Sequence, residues 1–286
     1  MSGLDEAESV QPAPAQQSLP HAGAPPQKLP RLNASGLLPP NATLTVGKFR
    51  VTVERHIGRG GHSQLYHVTF HPTLHAEKSP PPVAAANERE HTRASSPTSH
   101  DRREGALKHV RISSPDHRAA VEREIAVMLQ LQGHPNIVTL YDSCVLDADG
   151  LLLMEYCPQG DVLGLINRTY PNHLKAPVVL DIFFDVCRAV AHMHYQVPLL
   201  LHRDLKVENI LLSTDPDTGQ TRYKLCDFGS ATSHLIRAGD SSSRETIALL
   251  TEDIQKHTTL EYRAPELIDF YISREVTEKV DIWALG

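Results

Sequence analysis

The pattern of apolar and polar residues predicts a small sheet in the first half of the chain. Phe49, Val51 and Val53 alternate with polar residues, which indicates a short strand that begins near Val46. The next residues, 58–66, are rich in glycine and indicate a turn between two strands. Further strands of the same sheet are predicted from short apolar runs at residues 106–110, 137–141 and 151–154.

Apolar residues with a period near 3.6 predict two helices. Ser114 is a suitable N-cap and Pro115 suits the first helical position, so the first helix is predicted to start there. Its predicted inward face consists of Val121, Ile125, Met128 and Leu129. A longer core helix is predicted from the apolar stripe of Val178, Ile182, Val186, Val190 and Met193.

Two tracts have no apolar period. Residues 1–44 are rich in Pro, Ala and Gln, and we predict a disordered tail because they cannot bury enough apolar surface to offset chain entropy. Residues 71–105 carry three consecutive prolines and many charges, and we predict that they form a disordered insertion between two strands. One domain, residues 45–286, is predicted to contain the ordered structure.

The residues with the clearest chemistry lie at 202–209, which read His-Arg-Asp-Leu-Lys-Val-Glu-Asn, and at 227–229, which read Asp-Phe-Gly. Asp204 and Asn209 lie five positions apart, and Asp227 adds a second carboxylate beside a glycine that we expect to let the chain bend. Carboxylate and amide oxygens are hard ligands that suit magnesium. Together, the two motifs resemble the catalytic loop and the metal-binding motif of protein kinases.

This resemblance implies an α+β, two-lobed protein-kinase fold, with a sheet and one helix in the N-lobe and mostly helices in the C-lobe. ATP and Mg²⁺ are the implied substrate and cofactor. Asp204 is implied to be the base that orients the acceptor hydroxyl, and Lys206 to lie by the transferring phosphate. Asn209 and Asp227 are implied to hold the metal.

The resemblance also assigns residues to the nucleotide. Gly58, Gly60 and Gly61 are implied to form a loop that covers the phosphates, with Ser63 in place of the third motif glycine. Leu65 takes the place of the motif valine.

Lys108, within the predicted strand at residues 106–110, is implied to bind the α and β phosphates. Glu124 is its expected partner, and Glu122 is the alternative. Residues 155–160 are implied to be the hinge between the lobes. Glu155 and Cys157 would bind the adenine through backbone groups, and Met154 would lie at the back of that pocket.

A serine/threonine kinase is implied by Lys206 in the catalytic loop and by Thr259, which resembles the threonine that contacts the catalytic aspartate and lysine. Residues 225–232, Leu-Cys-Asp-Phe-Gly-Ser-Ala-Thr, and residues 258–266 resemble the Numb-associated kinase family. This family contains adaptor-associated, cyclin-G-associated and fungal actin-regulating kinases. It implies protein substrates among clathrin-adaptor or actin-patch proteins, in endocytosis and actin regulation.

Composition excludes some other classes. The net charge of −6 argues against a protein that coats nucleic acid or an anionic membrane. No apolar run approaches the length of a membrane span. The 4 cysteines are far apart, which is typical of reduced thiols, so a cytoplasmic location is expected.

Two interpretations remain open at this point. Residues 280–286 resemble the start of the central C-lobe helix, so we expect the C-lobe to be truncated in this sequence. The alternative function is therefore a catalytically inactive kinase-like scaffold or binding protein.

Arg203 would allow control by phosphorylation, with candidate sites at Ser241, Ser242, Ser243 and Thr246.

Overall fold

The computed structural model describes residues 29–61, 63–73, 102–215, 217–234, 244–269 and 276–286. Residues 1–28 of the predicted tail and residues 74–101 of the predicted insertion lie outside the described residues. Ser241, Ser242 and Ser243 also lie outside them.

Six strands of the described residues form one antiparallel sheet. They are β1 (Thr43–Val46), β2 (Phe49–Arg59), β3 (Ser63–Pro72), β4 (Arg103–Arg111), β5 (Leu140–Val145) and β6 (Asp149–Met154). Their spatial order is β1-β2-β3-β4-β6-β5, so β4 has a hydrogen-bonded neighbour on both sides. In this register Lys108 lies between Leu65 on β3 and Leu152 on β6.

Helix α1 (Pro115–Gln130) packs against one face of this sheet. Its start agrees with the prediction, because the Ser114 hydroxyl accepts a hydrogen bond from the N–H of His117 at 3.2 Å. Gly150 allows the close approach of helix and sheet, since a Cβ there would lie 2.7 Å from Val121. The prediction for Leu129 was wrong, because its side chain is 39% exposed.

The opposite face of the sheet is covered by residues 29–42. Leu38 is only 2% exposed, and its N–H donates to the hydroxyl of Tyr66 at 3.0 Å. The Asn41 N–H donates to the carbonyl of Val53, and the N–H of Val53 donates back to Ala42. The predicted boundary at residue 44 was therefore wrong, since residues 29–44 pack on the sheet and contribute to β1.

Two other predicted boundaries also change. Strand β3 continues to Pro72 and β4 starts at Arg103, so the ends of the predicted 71–105 insertion belong to strands. The strand predicted at residues 137–141 lies further along the chain, as β5. Ile137 instead forms a parallel bridge with Leu225, which joins this stretch to the second half of the chain.

Helices dominate the described residues after β6. They are α2 (Val162–Thr169), α3 (Ala176–His194), α4 (Arg244–His257), α5 (Pro265–Ile268) and α6 (Lys279–Leu285). A hairpin of β7 (Ile210–Thr214) and β8 (Thr221–Leu225) packs against α3, which buries Val186, Val190 and Met193 as its apolar stripe predicted. The sheet-rich first half and the helical second half confirm the predicted α+β class. None of the described helices has the length and apolar character needed to span a bilayer.

Candidate active site

The loop at residues 202–209 is held by a buried carboxylate on α6. The backbone N–H groups of His202 and Arg203 each donate to Asp281, at 2.8 Å. Asp281 is 1% exposed and also lies 2.9 Å from Nε2 of His194. Because Arg203 has a left-handed backbone conformation, with φ of 68°, these hydrogen bonds stabilise a geometry that non-glycine residues rarely adopt.

Asp204 lies at the centre of a compact polar cluster. Its Oδ2 accepts from Nζ of Lys206 at 2.8 Å, and its Oδ1 accepts from the hydroxyl of Thr259 at 2.6 Å. Lys206 Nζ also donates to that hydroxyl, at 3.0 Å. The structure therefore brings together three residues that the sequence placed in two separate motifs.

Asn209 connects this loop with the second motif. Its side-chain N–H₂ group donates to the backbone carbonyl of Asp204 at 2.8 Å. Its own backbone carbonyl accepts from the N–H of Cys226 at 3.0 Å. These two hydrogen bonds place Asn209 between Asp204 and the residue that precedes Asp227.

The chain bends at Asp227 and again at Gly229, on either side of Phe228. Asp227 has a φ of 59°, and Gly229 lies in a turn in which the N–H of Ala231 donates to the carbonyl of Phe228 at 3.0 Å. The bend at Asp227 directs its carboxylate towards Lys108, at 3.1 Å, and buries Phe228 against His202. The expectation that the glycine lets the chain bend is therefore confirmed, and the structure adds a second bend at Asp227.

Lys108 lies between two carboxylates. Its Nζ is 2.6 Å from Oε1 of Glu124 and 3.1 Å from Oδ1 of Asp227. Burial alone would lower the pKa of Lys108, but the two carboxylates raise it above its ordinary value, so the ammonium stays charged. The attraction of Lys108 also lowers the pKa of Asp227. Glu122, the alternative partner, is instead 3.8 Å from Arg118.

The glycine turn lies at the end of β2 and the start of β3. Gly58 pairs with Leu65 across the two strands, and the N–H of Gly60 donates to the carbonyl of Ser63 at 2.9 Å. A Cβ at Gly60 would lie 2.6 Å from the hydroxyl oxygen of Ser63, whereas a Cβ at Gly61 would meet no atom within 4 Å. A close approach inside the turn therefore requires the glycine at position 60.

The predicted hinge follows directly after β6. Met154, the last residue of that strand, pairs with Ala106 and Leu140. Cys157 is buried, and burial together with the charge of Glu155 raises the pKa of its thiol to about 12. The side chain of Glu155 points to other protein groups, including Nζ of Lys224 at 2.8 Å.

Arg203 has an acidic partner inside the chain. Its Nη1 donates to Asp253 on α4 at 2.6 Å, and its Nε donates to the carbonyl of Ser230 at 2.8 Å. The hydrogen bond from His257 and the charge of Arg203 lower the pKa of Asp253. In the described residues, a carboxylate thus contacts the arginine that we expected to respond to phosphorylation. Of the candidate phosphorylation sites, Thr246 falls within α4.

Comparison with known proteins assigns this chain to a family. A profile of the protein kinase domain matches residues 95–286, more than half of the chain. The chain belongs to the protein kinase family. Serine/threonine-protein kinase ppk30 of Schizosaccharomyces pombe is 34% identical over 255 residues, which cover 87% of this chain and 23% of that protein.

Two proteins of Dictyostelium discoideum, both named probable serine/threonine-protein kinases, are also similar to this kinase domain. One is 43% identical over 187 residues, 63% of this chain and 16% of the relative. The other is 42% identical over 188 residues, 63% of this chain and 22% of the relative. The chain therefore spans about a fifth of the length of these three relatives.

Sequence reasoning missed two residues that support the site of this kinase domain. Asp281 was treated only as one residue of the predicted helix start at 280–286. Its place between the apolar residues Val280 and Ile282 was a signal, because a carboxylate is rarely buried unless it has a partner. Asp253 was missed together with the whole of α4. Ile247, Leu250 and Ile254 have the spacing of a helical face and provided a signal for that helix.

Proposed function

We propose that the chain is the catalytic domain of an ATP- and magnesium-dependent serine/threonine protein kinase. The observation that carries this proposal is the cluster of Asp204, Lys206 and Thr259, in which one carboxylate binds both an ammonium group and a hydroxyl. A carboxylate that already accepts from a threonine hydroxyl can accept from a substrate hydroxyl in the same way. The names of the relatives support the serine/threonine class.

The oxygen donors at the site fit Mg²⁺, the cation that the family implies. Asp227 offers a carboxylate and Asn209 an amide oxygen, both of which magnesium prefers over nitrogen or sulfur. Because the Asp227 side chain is 52% exposed, it remains open to a cation while its Oδ1 contacts Lys108. When bound, Mg²⁺ neutralises the charge on phosphate oxygens and helps to orient them.

In the proposed reaction, Asp204 orients the substrate hydroxyl and accepts its proton at a carboxylate oxygen. The hydroxyl oxygen forms a bond to the γ-phosphorus of ATP, the bond to the β–γ bridging oxygen breaks, and ADP leaves. Lys206 lies 2.8 Å from Asp204 and supplies positive charge where the phosphoryl group passes. Thr259 holds the two side chains in this arrangement.

Binding of ATP is assigned to residues of the six-stranded sheet, of α1 and of the predicted hinge. Lys108 is a fixed cation suited to the α and β phosphates, and Glu124 holds it there at 2.6 Å. The turn that contains Gly58, Gly60 and Gly61 covers the phosphates and presents backbone N–H groups. Leu65, Met154 and the backbone of Glu155 and Cys157 complete the site around the base.

The direct test is transfer of radiolabelled phosphate from ATP with Mg²⁺ to three peptides that differ only in a serine, threonine or tyrosine acceptor. We expect labelling of the serine and threonine peptides and none of the tyrosine peptide. ATP binding by the folded chain without any transfer would contradict the proposal and favour the inactive kinase-like scaffold. Labelling of tyrosine alone would contradict the serine/threonine class.

We further propose clathrin-adaptor or actin-patch proteins as substrates and the cytoplasm as the location. The substrate proposal rests on the resemblance of residues 225–232 and 258–266 to Numb-associated kinases, and the location proposal rests on the wide spacing of the cysteines. A panel of purified adaptor and actin-patch proteins, compared with unrelated proteins of similar threonine content, tests the substrate proposal. Preferential labelling of the adaptor or actin-patch group is expected, and equal labelling of all the proteins would contradict it.

A further inference from the structure

The hinge segment, defined as residues 155–157, is anchored through a side chain that the proposed reaction does not use. The carboxylate of Glu155 contacts three separate parts of the chain. Its Oε2 accepts from Nζ of Lys224 on β8 at 2.8 Å and from the backbone N–H of Thr139 at 3.2 Å. Its Oε1 accepts from the hydroxyl of Ser213 on β7 at 3.4 Å.

This ion pair is shielded from water. The side chains of Lys224 and Glu155 are 12% and 17% exposed, and Ser213 is buried. A charge-assisted hydrogen bond in such surroundings is stronger than one at the surface, and removal of one partner leaves the other uncompensated. Lys224 therefore restrains Glu155 more strongly than an exposed surface pair could.

The next hinge residue is held from the opposite side. The ring of Tyr156 stacks on His67 of β3, with centroids 4.3 Å apart, and its hydroxyl accepts from Arg55 of β2 at 3.0 Å. Consecutive hinge side chains thus contact the β7–β8 hairpin and the six-stranded sheet. The backbone between them has little freedom to move relative to either part.

We propose that Lys224 is a positioning residue for the nucleobase, acting through Glu155 to fix the backbone of the hinge segment. This inference rests on the proposed function, because it takes the hinge segment as the edge that binds adenine. Lys224 itself contacts neither the nucleotide nor the acceptor. Its effect is on binding of the base and not on binding of the phosphates or on proton transfer.

The test compares the intact chain with Lys224→Met, which keeps the apolar stem and removes the charge. Binding of adenosine and of inorganic tripolyphosphate with Mg²⁺ is measured separately by calorimetry. We expect Lys224→Met to bind adenosine about tenfold more weakly and tripolyphosphate within about twofold of the wild type. Lys175→Met, which changes an exposed lysine before α3, is the matched control and should alter neither affinity.

Two further variants separate positioning from general damage. Lys224→Arg keeps a cation and should retain most of the adenosine affinity. If Lys224 only filled space, the larger arginine would not retain it. Glu155→Gln combined with Lys224→Met leaves no unpaired charge and should bind adenosine better than Lys224→Met alone. In phosphate transfer, Lys224→Met should raise KM for ATP and leave kcat nearly unchanged.

Unchanged adenosine binding by Lys224→Met would overturn the inference, as would an equal loss for adenosine and tripolyphosphate. Wild-type chain that binds adenosine but transfers no phosphate would contradict the proposed function while the Lys224 result still stands. Wild-type chain that binds no adenosine would overturn both.

Discussion

The site has a sheet side, with Lys108 and Glu124, and a loop side, with Asp204 and Lys206, and the two sides hold their charged residues in different ways. On the sheet side, Lys108 belongs to β4 and Glu124 to α1, so backbone hydrogen bonds of regular elements set their positions. On the loop side, Asp204 and Lys206 lie outside helices and strands, and contacts with remote side chains set their positions. The loop depends on Asp281 and Thr259, which lie more than fifty positions further along the chain.

This difference matches the separate functions proposed for the two sides, which are nucleotide binding and phosphate transfer. The proposed phosphate cation, Lys108, needs a rigid position, and a central strand with neighbours on both sides provides it. The proposed base, Asp204, lies instead in a loop whose position depends on a few hydrogen bonds to remote residues. We therefore expect substitutions on the two sides to affect nucleotide binding and phosphate transfer separately.

Asp204→Asn should have the largest effect. The amide cannot accept the proton of the substrate hydroxyl, so we expect phosphate transfer to fall by roughly a thousandfold, about 4 kcal/mol. Single-turnover transfer with saturating ATP measures this rate. Asp147→Asn, an exposed aspartate between β5 and β6, should keep the wild-type rate.

Asp281→Asn should have the next largest effect. The amide places an N–H₂ group against backbone N–H donors of the loop, and we expect the free energy of unfolding to fall by about 3 kcal/mol. Urea unfolding measures it, and transfer should also decrease because the loop shifts. Glu261→Gln, at an exposed position, serves as the control. Unchanged stability and transfer would show that the loop does not depend on Asp281.

Lys108→Met removes the central charge on the sheet side of the site. It removes the proposed phosphate cation and leaves the buried Glu124 without its ion pair, so we expect ATP affinity to fall by about 2 kcal/mol, roughly thirtyfold. Equilibrium dialysis with ATP and Mg²⁺ measures this change. Arg111→Met, at an exposed site on the same strand, should bind ATP normally. Normal ATP binding by Lys108→Met would contradict the assignment of Lys108.

Asp253→Asn should have the smallest effect, under about 1 kcal/mol of stability, because the Asp253 side chain is 43% exposed and solvent screens the pair. Since the folded-state pKa is lowered, this contribution is present above the ordinary value of 3.8 and decreases as the pH falls below it. Thermal unfolding at several pH values measures this, and the melting temperature should decrease less steeply with falling acidic pH for Asp253→Asn than for Glu252→Gln. An equal decrease of the melting temperature in the two variants would exclude a contribution from Asp253.

Much of the sheet side could be predicted from sequence because its signals are local. The N-cap at Ser114 and the apolar period placed α1, and the helix then presented Glu124 to Lys108. The loop side could be predicted only in part. Motif spacing identified Asp204 and Asn209, but the contacts of Asp281 and Asp253 depend on chain segments that only the fold brings together.

The N-terminal segment shows the same limitation. Residues 29–44 were grouped with the Pro-, Ala- and Gln-rich tail, although they contain five leucines, because those leucines follow no helical or strand period. Their order depends on a partner 28 positions away, since Leu38 donates to Tyr66 and packs on a sheet face. The composition of a segment does not show whether another part of the chain offers a surface on which the segment can pack.

The proposed base and the proposed phosphate cation act on separate steps. Measurement of ATP binding and of phosphate transfer on the same samples of Asp204→Asn and Lys108→Met tests this separation. We predict that Asp204→Asn binds ATP like the wild type and transfers almost no phosphate, whereas Lys108→Met has a reduced ATP affinity. Loss of ATP binding in Asp204→Asn, with normal binding in Lys108→Met, would contradict these two roles.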